Sequence, residues 1–92
     1  MLIQRSASFT DNFKAILVYI SLDSKSRAKQ FKNALQSSLV NIPDMPYKFR
    51  KSIYFDDENI RDYIFMGYSI PYLIQEEKNR IVLLDIIKWR QN

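Results

Sequence analysis

"GYSIPYLIQEEKNRIVLLDII", residues 67–87, decides the fold. It opens on Gly67, the one glycine of the chain, and carries two apolar segments split by the charged stretch EEKN. YSIPYLIQ and RIVLLDIIKW are rich in β-branched and aromatic residues and read as strands, with EEKN as the turn between them. Just upstream, NIRDYIF reads as another strand, which makes Met66-Gly67 a hairpin connection. A two-residue connection of this kind requires positive φ, and glycine adopts that without a steric penalty. The last strand is apolar on both faces, with Val82, Leu84 and Ile86 on one and Ile81, Leu83 and Ile87 on the other. Such a strand lies inside a sheet and is covered from both sides. Helices can cover one side; the other requires a second cover. Pro71 falls in mid-strand, where it has no N–H to give the ladder. Two readings stay open there, a bulge or an unpaired edge.

Working outward, residues 2–6 (LIQRS) read as a short opening strand. In SFTDNFKAILVYISLD, apolar residues at Phe9, Phe13, Ile16, Leu17 and Ile20 follow i, i+4, i+7, i+8, i+11, a single helical stripe. Ser8 or Thr10 can cap it, with Asp11 near the first turn. DSKSR breaks the pattern, and Asp23 or Ser24 caps a second helix with the stripe Ala28, Phe31, Leu35, Leu39 and Ile42. Lys25, Lys29 and Lys32 lie on its outer side, and Pro43 stops it. The short gap between the two predicts an antiparallel helical hairpin. NIPDMPYKFRKSIYFDDEN reads as a loop, with a short strand near 49–55. The order predicts an α+β, two-layer fold, a helix hairpin packed on a mostly antiparallel sheet of four to five strands, β-α-α-β-β-β.

Ninety-two residues with 47% apolar content predict one domain over 1–92 with a single core. With no cysteine and no histidine there is no disulfide framework, no Ser-His-Asp triad and no Cys/His metal site, and no cofactor or metal is expected. Any catalysis would use Lys, Arg, Tyr, Asp or Glu. The longest unbroken apolar run, residues 15–20, is far short of the ~20 residues of a membrane span, and MLIQRSASF lacks the pattern of a signal peptide. A cytoplasmic protein with no membrane partner is expected. The net charge of +4 is uneven: residues 1–55 carry nine Lys/Arg against three Asp/Glu (+6), and residues 56–92 carry five against seven (−2). A basic half suits an acidic partner or a solvated helix surface.

This order of elements, with FKAILVYI, RAKQFKNALQSSLVNIPDMP, IRDYIFMGYSIPYLI and RIVLLDIIKWRQ in these places, resembles the RelE/ParE superfamily of toxins from bacterial type II toxin–antitoxin modules. The resemblance covers nearly the whole chain. It implies a growth-inhibiting toxin neutralised by a cognate antitoxin that wraps around it and covers apolar surface. Leu73, Leu83 and Ile87 are the candidate antitoxin contacts, since they look too apolar for open solvent; filling a core or a homodimer contact is the alternative use of them.

Two mechanisms occur in the superfamily. RelE-like members cut messenger RNA on the ribosome with a basic cluster: lysines on the strand before the glycine, an arginine two residues after it, another near the end, then a tyrosine. Here those positions correspond to Ile60, Asp62 and Ser69, with Arg90 as the one matching cation and weak catalytic candidate, and no tyrosine follows it. ParE-like members, by resemblance, inhibit DNA gyrase by binding. The sequence resembles these more. The candidate target-binding residues are Lys48, Arg50 and Lys51 in the loop, Arg61 on the next strand, and Lys88, Trp89 and Arg90 at the tail. Arg61 paired to Asp62 or Glu58, and Trp89 folded against the helices, are the structural alternatives. A third reading is a non-toxic small nucleic-acid-binding module.

Overall fold

The computed structural model describes residues 1–88 of the chain. Strand β1 (Leu2–Arg5) leads into helix α1 (Ala7–Asp23), helix α2 (Lys25–Leu39) and a single 3₁₀ turn at Ile42–Asp44. A long loop then reaches β2 (Ile60–Phe65), β3 (Tyr68–Gln75), a second 3₁₀ turn at Glu76–Lys78, β4 (Arg80–Leu83) and β5 (Ile87–Lys88). The sheet order is β1-β4-β3-β2, with β5 also paired to β3. β2, β3 and β4 are antiparallel neighbours, while β1 runs parallel to β4. The sheet is therefore mixed, with two helices on one face, as the α+β reading predicts.

The helical stripes account for the core. Phe9 and Phe13 of α1 and Leu35 and Leu39 of α2 are buried against Phe65, Ile70, Tyr72, Ile74, Ile81 and Leu83 of the sheet. Phe31 meets Phe65 and Tyr68 edge-on, with ring centroids 5.5 and 5.6 Å apart, the geometry aromatic quadrupoles favour. Pro43 lies in the 3₁₀ turn that follows α2, where its missing N–H is harmless. Ser24 closes α1 with its N–H on the Ile20 carbonyl and caps α2 by accepting from the Arg27 N–H. One residue thus serves two helices, which is why the connection between them is so short. The hairpin turn is as predicted: Met66 and Gly67 both have positive φ, +46° and +84°, and Phe65 pairs with Tyr68 across it. No regular strand forms near residues 49–55; that stretch contributes a lone bridge, Lys51 to Arg61.

Pro71 is resolved by a bulge in its partner. Tyr72 pairs with Leu83, but Ser69 pairs with Ile87, so the last strand carries one extra residue between those pairs. The predicted strand over 80–89 is thereby broken into β4 and β5 at Leu84–Ile86. The Leu84 N–H still donates to the Pro71 carbonyl at 2.8 Å. The reciprocal bond, from residue 71 to the Leu84 carbonyl, is the one a proline cannot make. The Ser6 hydroxyl makes it instead, at 2.7 Å, while its oxygen accepts from the Phe9 N–H at 3.1 Å as the N-cap of α1. Ser6, rather than Ser8 or Thr10, starts the helix because it alone also answers this carbonyl. Asp85 completes the bulge, accepting from the Asn12 side chain and the Ile86 N–H, each at 2.7 Å.

The bulge also reverses the expected faces. Ile81 and Leu83 point to the helices, but one extra residue moves Ile86 into the core and Ile87 to the side away from the helices.

Two outcomes are expected. Ser6→Ala should cost about 2 kcal/mol in urea denaturation, because a cap and a carbonyl partner are lost together. In a Pro71→Ala background, where residue 71 regains its donor, the same change should cost about 1 kcal/mol less, and additive losses would contradict the shared bond. Gly67→Val should cost about 1–2 kcal/mol and Gly67→Asn far less, because a Cβ there meets nothing within 4 Å and the penalty is backbone strain alone.

Candidate target-binding surface

Each face of the β2–β3 hairpin takes alternate side chains. Arg61, Tyr63 and Phe65 share the helix side with Tyr68, Ile70 and Tyr72, so Ile60, Asp62 and Ile64 lie on the opposite side with Ser69, Pro71 and Leu73. The fold thus brings together on one face the three positions, Ile60, Asp62 and Ser69, that the resemblance matches to cations of the RelE-like branch. All three are buried. The Asp62 carboxylate is the charged group at their centre. Its Oδ2 accepts the Ile53 N–H at 3.0 Å and lies 3.3 Å from Arg50 Nη2. Its Oδ1 and the Ser69 hydroxyl are buried with no hydrogen-bond partner among the described residues. A buried carboxylate requires donors, and here a loop backbone and a guanidinium supply them.

The loop is held from both sides of the sheet. On the open side Asp62 grips Ile53. On the helix side the Tyr72 hydroxyl, fully buried, donates to the Pro46 carbonyl at 2.6 Å; burial pushes its pKa well above the usual tyrosine value and keeps it a donor. Along the edge, Asp62 N–H donates to the Arg50 carbonyl and Ser52 N–H to the Ile60 carbonyl. Arg61 closes the clamp, donating to the carbonyls of Glu58, Phe49 and Tyr47 at 3.2, 3.1 and 3.4 Å, with its guanidinium 5.2 Å from the Tyr47 ring centre.

These positions sort the expected site residues. Lys48 and Lys51 are exposed on the loop, with Lys48 Nζ 5.5 Å from the Phe49 ring centre. Arg50 is exposed but engaged with Asp62. Arg61 is half-buried and turned to the helix side, gripping backbone; its expected acidic partners are replaced by carbonyls, since Asp62 points the other way and pairs with Arg50. Lys88 is exposed opposite Tyr68, at the other end of the hairpin from the Lys51–Arg61 bridge, so the basic candidates do not converge. Trp89 and Arg90 lie outside the described residues. Of the apolar candidates, Leu73 and Ile87 are half-buried on the open face, but Leu83 is fully buried against the helices and offers no surface. Leu83 faces away from Leu73 by ordinary strand alternation, since Leu73 pairs with Val82, and the bulge separates it from Ile87.

Two apolar features were not singled out in the sequence. Val18, Tyr19 and Leu22 are 57, 72 and 78% exposed, forming a second stripe on α1 about opposite the core stripe. Tyr19 also lines a groove of about 360 Å³ together with Asn12, Ala15, Ile16, Tyr68, Ile86 and Lys88. The second feature is the loop tip, Ile53-Tyr54-Phe55, also exposed. The signal for the first was present, since α1 carries apolar residues at 15, 18, 19 and 22 beyond what its core face needs.

A family profile described as the ParE toxin of type II toxin–antitoxin systems, parDE, matches residues 3–92. The chain belongs to the ParE toxin family. No curated protein sequence matches it. Among solved structures, a chain of the chromosomal ParDE system of P. aeruginosa superposes with a TM-score of 0.74 at 13% identity, over 98% of this chain and 97% of that one. The isolated E. coli RelE toxin superposes with a TM-score of 0.67, also at 13% identity, over 99% of this chain and 86% of that one. At such identity the likeness speaks for the fold, and the family assignment rests on the profile. A parDE system implies a cognate ParD antitoxin as partner of this ParE-family chain.

Asp62→Ala should cost about 2–3 kcal/mol and loosen the loop, seen as faster amide exchange at Ile53 and Ser52, since it leaves the Ile53 N–H without its acceptor and removes the carboxylate that holds the loop to the sheet. Exchange at Ile53 unchanged from the parent would refute the anchoring role.

Proposed function

We propose that this ParE-family toxin, as one domain over its 92 residues, arrests growth by binding a cytoplasmic protein target of the DNA gyrase type. On this reading it cleaves no RNA, and its cognate antitoxin silences it by covering apolar surface. The observation that carries the choice of mechanism is the make-up of the open sheet face. Cleavage at a 2′-hydroxyl needs cations for the charge growing on phosphorus and a group to carry the proton. At the three positions where the RNase branch places cations stand Ile60, the Asp62 carboxylate and Ser69. A carboxylate repels phosphate, and Arg50, the guanidinium beside it, is already drawn to that carboxylate. Lys48 and Lys51 remain as exposed loop cations for contact with a target, together with Lys88, Trp89 and Arg90 of the tail. For the antitoxin, Leu73 and Ile87 offer apolar surface on one side of the sheet.

Expression of the chain alone in bacteria should stop growth, and co-expression of the small protein encoded beside it should restore growth. In purified systems the toxin should inhibit gyrase supercoiling and leave ribosome-bound transcripts intact. Cut transcripts with normal supercoiling would establish the RNase reading in its place, and healthy growth on expression would favour the non-toxic binding module.

A further inference from the structure

The loop from 51 to 59 ends in a tip whose composition is unusual for solvent. Ile53, Tyr54 and Phe55 are 64, 39 and 41% exposed, and Asp56, Asp57 and Glu58 follow them directly. Three adjacent large apolar side chains left this exposed keep much of their surface in water, so packing alone does not explain them. Nor is the tip loose chain. The Ile53 N–H is held by the buried Asp62 carboxylate at 3.0 Å, and the Tyr54 N–H by Ser52 Oγ at 3.1 Å. On the return side, Asp57 Oδ1 accepts from Asn59 N–H at 2.8 Å, and the Asp57 carbonyl accepts from Ile60 N–H at 3.1 Å. The Lys51–Arg61 bridge closes the base. A carboxylate buried in a sheet to fix one loop N–H is a costly device if the loop's position does not matter.

We propose that Ile53-Tyr54-Phe55 is a preorganised docking tip that enters an apolar cleft with a basic rim on the protein target. The inference rests on the reading of this chain as a target-binding toxin and names the surface that reading lacks. Preorganisation explains the hydrogen-bonded frame, because apolar residues already fixed in their bound geometry lose little entropy on docking. Charge selects the kind of partner. The carboxylates of Asp56 and Glu58 make no ion pair among the described residues, and they stand on the C-terminal side of the apolar triplet. They repel a nucleic-acid backbone and favour Lys or Arg around a protein cleft. Exposed tyrosine and phenylalanine are suited to fill such a cleft.

The test compares the full-length wild type with an Ile53→Ser/Phe55→Ser variant and an Asp56→Lys/Glu58→Lys variant. Growth arrest, binding to purified gyrase holoenzyme, binding to the co-expressed antitoxin and thermal stability are read for each. The apolar variant should lose growth arrest and bind gyrase roughly 30-fold or more weaker, with antitoxin binding and melting temperature kept. The charge variant should associate roughly 10-fold more slowly at low salt, the difference shrinking as salt rises. A toxic wild type with an equally toxic apolar variant overturns the inference and leaves the proposed function standing. Loss of antitoxin binding in the apolar variant with growth arrest kept assigns the tip to the antitoxin and overturns it likewise. A wild type that neither arrests growth nor binds gyrase overturns both.

Discussion

The arrangement of the sheet depends on one hydrogen-bond donor that the chain does not have. Pro71 stands in β3, with β2 on one side and β4 on the other, and its nitrogen has nothing to give the Leu84 carbonyl. A buried carbonyl without a partner costs about 1–3 kcal/mol, a large share of the ~5–15 kcal/mol by which a domain is stable. The Ser6 hydroxyl meets that need, and because the same oxygen caps α1, the position of the helix is tied to the position of the missing bond. The strand beyond Leu84 then takes an extra residue before it pairs again. That shift decides which of Ile86 and Ile87 is core and which is surface. Sheet, helix start and terminal strand are therefore one problem with one solution.

A second commitment sits on the other face. Asp62 occupies a strand position whose neighbours on that face, Ile60 and Pro71, are buried, and an apolar residue there would pack without penalty. What the carboxylate supplies is a fixed place for the loop, through Ile53 and Arg50. Tyr72 holds the start of the same loop from the helix side, and Arg61 ties its two limbs together through three carbonyls. Removing any one of these leaves the others, which is the behaviour expected of a network whose members share a single task.

The periodic parts of this architecture were legible in the sequence. Both helical stripes, the positive-φ turn at Met66-Gly67 and the strands on either side follow from spacing and from the freedom of glycine. What was not legible depends on contacts far apart in the chain. Ser8 and Thr10 are the caps the spacing suggests, and Ser6 takes the role instead because it also answers a carbonyl 78 residues away. Arg61 next to Asp62 suggests an ion pair, yet adjacent strand residues point to opposite faces, so Arg61 takes backbone carbonyls and Asp62 takes Arg50. Leu83 and Ile87 read as one face until a single extra residue separates them. Residues 53–55 read as strand because Ile, Tyr and Phe favour strands; the frame that holds them out as a loop tip is built from backbone donors, which side-chain patterns do not record.

The distribution of charge follows from the same layout. Half of the basic excess of the first 55 residues sits on the helices, where Lys14, Lys25, Arg27, Lys29 and Lys32 are all exposed and outnumber Asp11 and Asp23. The acids at 56–58 lie on the return limb of the loop at the β2 edge, where Arg61 donates to the Glu58 carbonyl. The helices are therefore net positive and the return limb of the loop negative. The acids beside the tip and the carboxylate on the sheet face are both poor partners for phosphate, and both support the proposed recognition of a protein surface.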